Sequence, residues 1–503
     1  MALTRTVRSV LGLLALALVV SAFVTGYAHQ QKSVEFWPQQ DPPAVRLAAA
    51  ELARYHAVVR TPPGVAAAPI VLAYHDITAH PRDRYQVSRE DFARHMAMLH
   101  AAGYRTLTGD EFVDILHGAP APPRSVLITF DDSPQGLWTY ADRILARYGF
   151  HAVALVITGQ LDDRAGPYYL SWPEVQRMAA SGRWTIGSHT RSSHRAIPVN
   201  ASGTLKSALV NRRWTRSGRE SLPDFQHRVD TDLRGSIRDL TSHGLPRPRL
   251  FAYPFSEASL PGQDPVALRY VIARVAELFD GAFSSSTSSP EPVDVRVLRR
   301  NPLIIDRLEV VRSTPASQLF TAMQRMRTLP VSLASPVAAD ARWFAPDGRG
   351  LPVATDGTRL TITGPHRYVV AQYAPQATAD WTHYRIHATV RELDAPRTVT
   401  ASLLARVGGD PVQVRLSARR LQVSLRSSHE SIARRLSPSD SHVVTIEVLG
   451  ARTVVRVDGV TYYDHRSDSV PAGGGIGVAV FRGDPDTPFP RFDNISISPL
   501  PSG

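Results

Sequence analysis

Apolar strands alternate with amphipathic helices between about residues 66 and 332, and this pattern constrains the fold more than any other feature of the sequence. The strand-like runs are short and almost entirely apolar, which is typical of strands buried on both faces of a parallel sheet. They lie at 69–74, 126–130, 152–157, 184–188 and 250–253. The alternation predicts an α/β barrel or a doubly wound sheet, with a site at the carboxyl ends of the strands.

The helices between these strands carry start signals. Ser88, Thr108 and Ser171 each precede an acidic residue by three positions, which is the spacing of a capping box, and apolar residues follow at helical intervals. A longer helix is predicted over 221–242, because apolar residues recur along one face of that segment. These signals place helices between the strands, as the alternating fold requires.

The pattern changes after about residue 330. Short segments there alternate apolar with polar residues, and Asp458-Gly459 separates two of them as a tight hairpin turn. The sequence therefore predicts one α/β domain over 66–332, a linker over 333–345, and an all-β sandwich over 346–503.

The amino terminus has the features of a membrane-targeting segment. Arg5 and Arg8 precede an apolar run from Val10 to about Ala28, and a positive flank stays on the cytoplasmic side. Residues 1–30 are therefore predicted to be a membrane anchor or a cleaved signal segment, with an uncleaved anchor favoured. Residues 31–65 would form a stalk or linker, and the remainder would be extracytoplasmic, either anchored to the cell membrane or secreted.

The amino-acid composition limits the possible metal ligands and binding partners. The chain has no cysteine, so only His, Asp and Glu remain as plausible metal ligands. Its net charge of +12 is carried by arginines that are spread along the chain. Because dense basic runs are absent, this charge indicates a solvated basic surface, and no nucleic-acid partner is predicted.

The strand at 126–130 ends in two adjacent carboxylates, Asp131 and Asp132. Neighbouring like charges raise each other's pKa unless a cation or a donor compensates, which points to metal binding or proton transfer. His189 and His194 follow another strand, and five residues apart they meet at one ion only if that segment is a loop. Two histidines and one aspartate suit a catalytic divalent ion, although an Asp cap and surface histidines would be the plainer interpretation of each motif alone.

Taken together, these motifs resemble the polysaccharide deacetylases with a NodB homology domain, of the carbohydrate esterase family 4 type. TFDD at 129–132 is similar to the first motif of that family, and HTRSSH at 189–194 is similar to the second. AYHDI at 73–77 and AYPFSE at 252–257 resemble segments of the biofilm-type poly-N-acetylglucosamine N-deacetylases, which share the five-residue histidine spacing. The resemblance covers about residues 69–305.

The resemblance implies a deformed (β/α) barrel and a role for each matching residue. Asp131 would be the catalytic base and His75 the general acid. Asp132, His189 and His194 would hold a divalent metal ion, with zinc expected. The backbone N–H of Phe255 would serve the oxyanion, and Tyr253 and Trp138 are candidate substrate contacts.

Three positions depart from the family pattern. Ser133 replaces a glycine, Phe255 replaces a tyrosine, and Ala252 stands where many members have an arginine that orients the base. The first two changes are expected to be mild. At position 255 the expected role belongs to the backbone N–H, which Phe255 retains.

The implied function is metal-dependent N-deacetylation of an extracellular polysaccharide that contains N-acetylhexosamine. The alternative is a catalytically inactive glycan-binding or scaffold protein of the cell envelope. The β-sandwich resembles a jelly roll of the concanavalin and laminin-G type, so binding of carbohydrate and a purely spacing role are both expected of it. The sequence does not indicate the glycan or the oligomeric state.

Overall fold

The structure, a computed structural model, separates the chain into a barrel and a sandwich, each with its own hydrophobic core. It describes Ser21, 37–59, 68–161, 168–259, 262–285, 295–326, 329–338, 341, 343–345, 353–375, 377–379, 381–393, 398–425, 431–466 and 473–501. Among these residues no helix is long and apolar enough to span a bilayer. The predicted anchor over 1–30 lies outside the described residues, apart from Ser21.

Parallel strands form a closed barrel of seven, in the order β1-β14-β13-β12-β7-β6-β5, and the pairing of β5 with β1 closes it. The short strand β4 pairs with the beginning of β5. This arrangement confirms the predicted (β/α) barrel. The strands of this sheet are β1 Ile70–Tyr74, β4 Arg105–Thr106, β5 Ser125–Phe130, β6 Ala152–Val156, β7 Trp184–Ser188, β12 Leu250–Ala252, β13 Gly281–Ser285 and β14 Ile305–Glu309.

Short strand pairs lie outside the barrel and extend its carboxyl-terminal side. Two of them fill the long connection between β7 and the next barrel helix, a segment in which the sequence pattern predicted neither strand nor helix. These strands are β2 Asp76–Thr78, β3 Gln86–Ser88, β8 Ala196–Pro198, β9 Leu205–Ser207, β10 Trp214–Thr215 and β11 Gly218–Arg219.

Helices cover the barrel where the start signals placed them. Ser88, Thr108, Ser171 and Ser221 all cap helices through their side chains, and full capping boxes form at Thr108 and Ser171. The helices are α1 Ala49–Val59, α2 Arg89–Ala101, α3 Gly109–Leu116, α4 Asp142–Tyr148, α5 Trp172–Ala180, α6 Leu222–Ser242, α7 Pro265–Leu278, α8 Val295–Arg300 and α9 Ala316–Arg325. Shorter helical turns lie at Leu137–Ala141 (π), and at Thr158–Gln160, Pro254–Ser259 and Val331–Leu333 (3₁₀).

Residues 37–59, which were assigned to the stalk, pack on the barrel. Tyr55 of α1 is 1% exposed and packs against the tilted ring of Phe320 of α9, at 4.8 Å between ring centroids. Ahead of α1, the chain is joined to the barrel by several hydrogen bonds, including one from the Gln40 N–H to the Thr139 carbonyl at 2.9 Å. This part of the predicted stalk is therefore attached to the barrel in the structure.

The carboxyl-terminal part is a sandwich of two seven-stranded antiparallel sheets, as the alternating pattern predicted. One sheet has the order β15-β18-β27-β20-β21-β22-β23 and the other β16-β17-β28-β19-β24-β25-β26. The strands are β15 Trp343–Phe344, β16 Val353–Thr355, β17 Arg359–Ile362, β18 Tyr368–Tyr373, β19 His383–Arg391, β20 Val399–Val407, β21 Val412–Ser417, β22 Arg420–Leu425, β23 Ser431–Arg435, β24 Ser441–Leu449, β25 Arg452–Val457, β26 Val460–Arg466, β27 Gly475–Arg482 and β28 Arg491–Pro499.

Two details of the sandwich follow from particular residues. Asp458 and Gly459 have φ values of 51° and 81°, so they form the turn with two left-handed residues that the Asp-Gly pair predicts. Trp343 lies in the segment assigned to the linker, yet it is 3% exposed and donates its indole N–H to the Pro336 carbonyl at 2.8 Å. Part of the predicted linker therefore belongs to the core of the sandwich.

Candidate active site

The predicted metal ligands meet at the carboxyl end of the barrel. The Nε2 atoms of His194 and His189 lie 3.2 Å and 3.4 Å from Oδ1 of Asp132. All three ligand atoms lie within 4.8 Å of one another. His189 follows the last residue of β7, and the segment that carries both histidines is a loop, as their spacing required.

The chemistry of this cluster fits a divalent ion. Oδ1 of Asp132 is buried and has no hydrogen-bond partner among the described residues. His189 uses Nδ1 to donate to the Ala252 carbonyl at 2.9 Å, which orients its Nε2 towards Asp132. Burial would lower the pKa of His189, but the carboxylates of Asp132 and Asp131 outweigh burial and raise it, so the cluster favours a cation at this point. Burial, together with neighbouring His189, lowers the pKa of His194 to about 4, so His194 is neutral at pH 7 and offers a lone pair.

Asp131 lies in a different environment from Asp132. It is 3% exposed and receives two hydrogen bonds from Arg307, at 2.8 Å to Oδ1 and 2.7 Å to Oδ2. Burial would raise the pKa of Asp131, but the Arg307 guanidinium outweighs burial and holds it well below the usual value. Asp131 is therefore an ionised, oriented carboxylate, which suits a proton acceptor.

Arg307 is the site residue that the sequence did not reveal. It enters the site from β14, is 1% exposed, and also donates to the Thr129 hydroxyl at 3.1 Å. Ala252 stands where many members of the resembled family have an arginine that orients the base, and in this structure Arg307 reaches Asp131 from another strand. Its isolated position in a strand offered no motif.

His75 lies beside the two aspartates because of strand register. Tyr74 of β1 pairs with Phe130 of β5, so His75 and Asp131 follow neighbouring parallel strands at the same level. The ring of His75 packs on Tyr85 at 4.6 Å between centroids, and its Nδ1 is buried with no hydrogen-bond partner among the described residues. The structure therefore brings all five predicted catalytic and metal-binding residues to one end of the barrel.

Strained backbone is concentrated at this end. Five of the eleven non-glycine residues with positive φ in the described part of the chain belong to the site: Asp132, Ser133, Thr190, Phe255 and Ser256. Such conformations cost free energy and persist where the surroundings enforce them, most often at functional sites. Phe255, at φ 57°, is held next to Ser256, whose carbonyl accepts hydrogen bonds from Ser259 and Ser284.

The three predicted substrate contacts have different surroundings. Phe255 is 47% exposed, and its ring lies 4.5 Å from that of His194, so it flanks the metal-ligand cluster. Tyr253 is 1% exposed and packs edge-on against Phe251 inside the core, so its side chain is not available to a substrate. Trp138 donates its indole N–H to the Trp37 carbonyl at 2.7 Å, so it supports Trp37. The burial of Tyr253 therefore does not support a substrate contact through its side chain, whereas the contact through Trp138, which is partly exposed, stays a prediction.

Residues 118–261 match the sequence model of a family described as polysaccharide deacetylase. The chain is 26% identical over 211 residues to the poly-beta-1,6-N-acetyl-D-glucosamine N-deacetylase of Escherichia coli (strain K12), covering 38% of this chain and 31% of that protein. It is 25% identical over 191 residues to the protein of the same name from Staphylococcus aureus (strain MRSA252), covering 37% of this chain and 60% of that protein. The chain thus spans about a third of the length of the first relative. Among solved structures, a de-N-acetylase from Aggregatibacter actinomycetemcomitans matches 50% of this chain and 98% of its own, with 21% identity and a TM-score of 0.43.

Proposed function

We propose that this chain, which carries a polysaccharide deacetylase domain, is a metal-dependent hydrolase that removes acetyl groups from the N-acetylhexosamine residues of an extracytoplasmic polysaccharide. The observation that carries the proposal is the pairing of two distinct aspartates at one strand end: Asp132 facing His189 and His194, and Asp131 held by Arg307. The similarity to poly-beta-1,6-N-acetyl-D-glucosamine N-deacetylases makes that polymer the first substrate to test.

Asp132, His189 and His194 would hold the ion, and zinc is the proposed metal because this mixed set of nitrogen and oxygen ligands suits it. When bound, such an ion would make water a better nucleophile at neutral pH and would polarise the carbonyl group of the acetamide. Asp131 accepts the proton of the water that attacks the acetamide carbon, while Arg307 keeps its carboxylate ionised and aligned.

The remaining groups complete the hydrolysis. As the carbon–oxygen bond to the former water forms and the carbon–nitrogen bond breaks, His75 gives a proton to the departing amine, so the products are acetate and a free amino sugar. The backbone N–H of Phe255 would stabilise the oxyanion, in the position that its left-handed conformation fixes. We favour this hydrolase over an inactive scaffold, because the side chains assigned to metal binding and to proton transfer lie together at one end of the barrel.

The test is release of free amine from a panel of acetylated glycans, with and without a chelator. Wild-type protein should release amine and lose this activity when the metal is removed. Asp132→Ala, His189→Ala and His194→Ala should each lose both bound metal and activity, because three protein ligands leave no redundancy. Asp131→Asn should retain the metal and lose the rate.

Two outcomes would contradict the assignment: full turnover by a variant that no longer binds metal, or an Asp131→Asn variant as active as wild type. The proposed location is tested separately, by fractionating cells that produce the full chain. Recovery with the membrane would support the anchor, and recovery in the medium with a shortened amino terminus would support a signal segment.

A further inference from the structure

A cleft of about 510 Å³ lies beside the catalytic groups, and the reaction as described does not use it. Its lining includes Trp37, Asp76, Gln135, Tyr140 and Tyr168. Asp76 directly follows the proposed acid His75, and Gln135 lies three residues after Asp132. A volume of this size is in the range of pockets that hold small organic ligands.

The cleft borders the turn that directly follows Asp132. The Gln135 N–H donates to the Tyr168 carbonyl at 2.7 Å, and Pro134 forms an antiparallel bridge with Tyr169. Tyr168 therefore lies against the residues that follow the proposed metal ligand, so the cleft lies next to the proposed reaction site.

One wall of the cleft comes from the segment ahead of the barrel, residues 37–48, which we call the arm. Glu174 of α5 is fully buried, and its Oε1 accepts hydrogen bonds from the Trp37 N–H at 2.9 Å and from the Gln135 side-chain amide at 2.8 Å. Gln39 adds a hydrogen bond to Asp142 at 2.9 Å. These contacts fix Trp37 at the cleft, although its side chain remains 45% exposed.

The cleft presents polar acceptors between aromatic surfaces. The side-chain nitrogen of Gln135 donates its hydrogen bond to Glu174, so the side-chain oxygen of Gln135 remains as an acceptor. That oxygen is buried and has no hydrogen-bond partner among the described residues. A buried acceptor without a donor is costly, which points to a ligand that supplies an N–H or O–H group. Tyr168 is 44% exposed and contributes a second aromatic surface near Trp37.

Asp76 adds a second acceptor at the same place. It is 7% exposed, and the Gln86 amide donates to its Oδ2 at 3.2 Å. The carboxylate passes close to Gly136, where a Cβ would lie 2.4 Å from its Oδ1 and 1.9 Å from the Ile77 carbonyl oxygen. The turn after the two aspartates therefore needs glycine at 136 to admit the Asp76 carboxylate.

We propose that the arm and the barrel together form a subsite for a second sugar residue of the glycan, next to the residue that is deacetylated. Trp37 and Tyr168 contact the apolar face of the pyranose ring, and Gln135 and Asp76 accept hydrogen bonds from its amide, amine or hydroxyl groups. This inference rests on the proposed function and adds a reason for preferring polymers to monosaccharides. It assigns a binding role to a segment whose sequence indicated only a stalk.

The test is calorimetric binding to full-length, zinc-loaded protein in which Asp131→Asn has removed turnover. The probes are a β-1,6-linked N-acetylglucosamine pentasaccharide, its de-N-acetylated form, and N-acetylglucosamine. Adding Trp37→Ala should lower pentasaccharide affinity about tenfold, the size expected for an aromatic contact together with its buried area, and leave monosaccharide affinity unchanged. In the otherwise wild-type enzyme, Trp37→Ala should raise the KM for the pentasaccharide and leave kcat unchanged. The two pentasaccharides show whether the subsite takes acetylated or free amino sugars.

The control is Trp214→Ala, since Trp214 is 37% exposed, similar to Trp37, and lies outside the cleft lining. Glu174→Gln provides a second variant: it should loosen the arm and weaken pentasaccharide binding without changing metal content. Equal affinities of the Trp37→Ala and parent proteins for both pentasaccharides, or equal losses in the Trp37 and Trp214 variants, would overturn the subsite. Absence of amine release by wild-type protein would instead refute the proposed function, because binding is measured without turnover.

Discussion

Replacing Arg307 with methionine gives a sharp test of the site, because it removes one partner of a fully buried ion pair. The side chains of Arg307 and Asp131 are 1% and 5% exposed, and two hydrogen bonds join them. Removing one member leaves a buried carboxylate without its cation, which typically costs about 3–5 kcal/mol. We expect a loss of that size in the free energy of unfolding, measured with a chemical denaturant.

The Arg307→Met change should also alter how activity depends on pH. In the wild type, Arg307 outweighs burial and keeps the pKa of Asp131 low, so this proposed base is ionised at all working pH values. Without Arg307, burial dominates and raises that pKa, so Asp131 is protonated at low pH and activity recovers as the pH rises. The acidic limb of the kcat/KM profile should therefore move to higher pH.

Two comparisons make the result decisive. Arg249→Met breaks a pair with Asp280 in which both side chains are about a third exposed, and such pairs contribute only about 0–1 kcal/mol. Combining Arg307→Met with Asp131→Asn should restore much of the stability, because the uncompensated charge is gone. An Arg307→Met protein that is no less stable than Arg249→Met, with an unshifted pH profile, would refute the reasoning.

Three further predictions follow from the same geometry. His75→Ala should lower kcat about 100-fold with unchanged metal content, as expected for loss of a general acid, and a near-normal rate would move that role elsewhere. Burial raises the pKa of Asp76 from 3.8 to about 6, so the folded state favours its protonated form. The stability that protonated Asp76 contributes is fully present below pH 3.8 and is lost as the pH rises through 6. In chelator-treated protein, Asp76→Asn should therefore gain stability relative to wild type between pH 4 and pH 8, by up to about 3 kcal/mol in denaturant unfolding; an equal difference at both pH values would contradict this. Deleting residues 329–503, whose core is separate from that of the barrel, should leave turnover of short oligomers nearly unchanged and reduce amine release from long polymer, whereas equal activity on polymer would leave the sandwich a spacing role.

Much of the barrel could be predicted from the sequence because its determinants are local. The Ser and Thr caps are read within four residues, and the parallel strands are nearly continuous apolar runs. The metal-ligand cluster was also predictable, since parallel strands of one barrel deliver their carboxyl ends to the same face. Asp132, His189 and His194 each follow such a strand directly or lie in the loop after it.

The contacts that sequence reasoning missed depend on closure of the fold. Arg307 lies 176 positions from Asp131 along the chain, and it reaches the base only because β14 pairs with β1 and β1 pairs with β5. The arm was missed for a related reason. Its sequence is rich in proline and glutamine, and its position is fixed by hydrogen bonds to barrel residues that are far away in the sequence, among them Glu174, Thr139 and Asp142 of α4. Neither type of contact produces a periodic pattern.

The two adjacent aspartates illustrate how one strand end serves two chemical roles. Asp131 ends the regular strand geometry with its side chain buried against a guanidinium, whereas Asp132 has a φ of 70° and a side chain that is 24% exposed. The left-handed turn sends the second carboxylate away from the first and towards the two histidines. Each charge therefore has its own compensation, arginine for one and the metal-ligand cluster for the other, so the two carboxylates need not share a proton. The positive φ at Asp132 and Ser133 is the conformational cost of that separation, and it explains why a strained turn directly follows a strand that is buried at every residue.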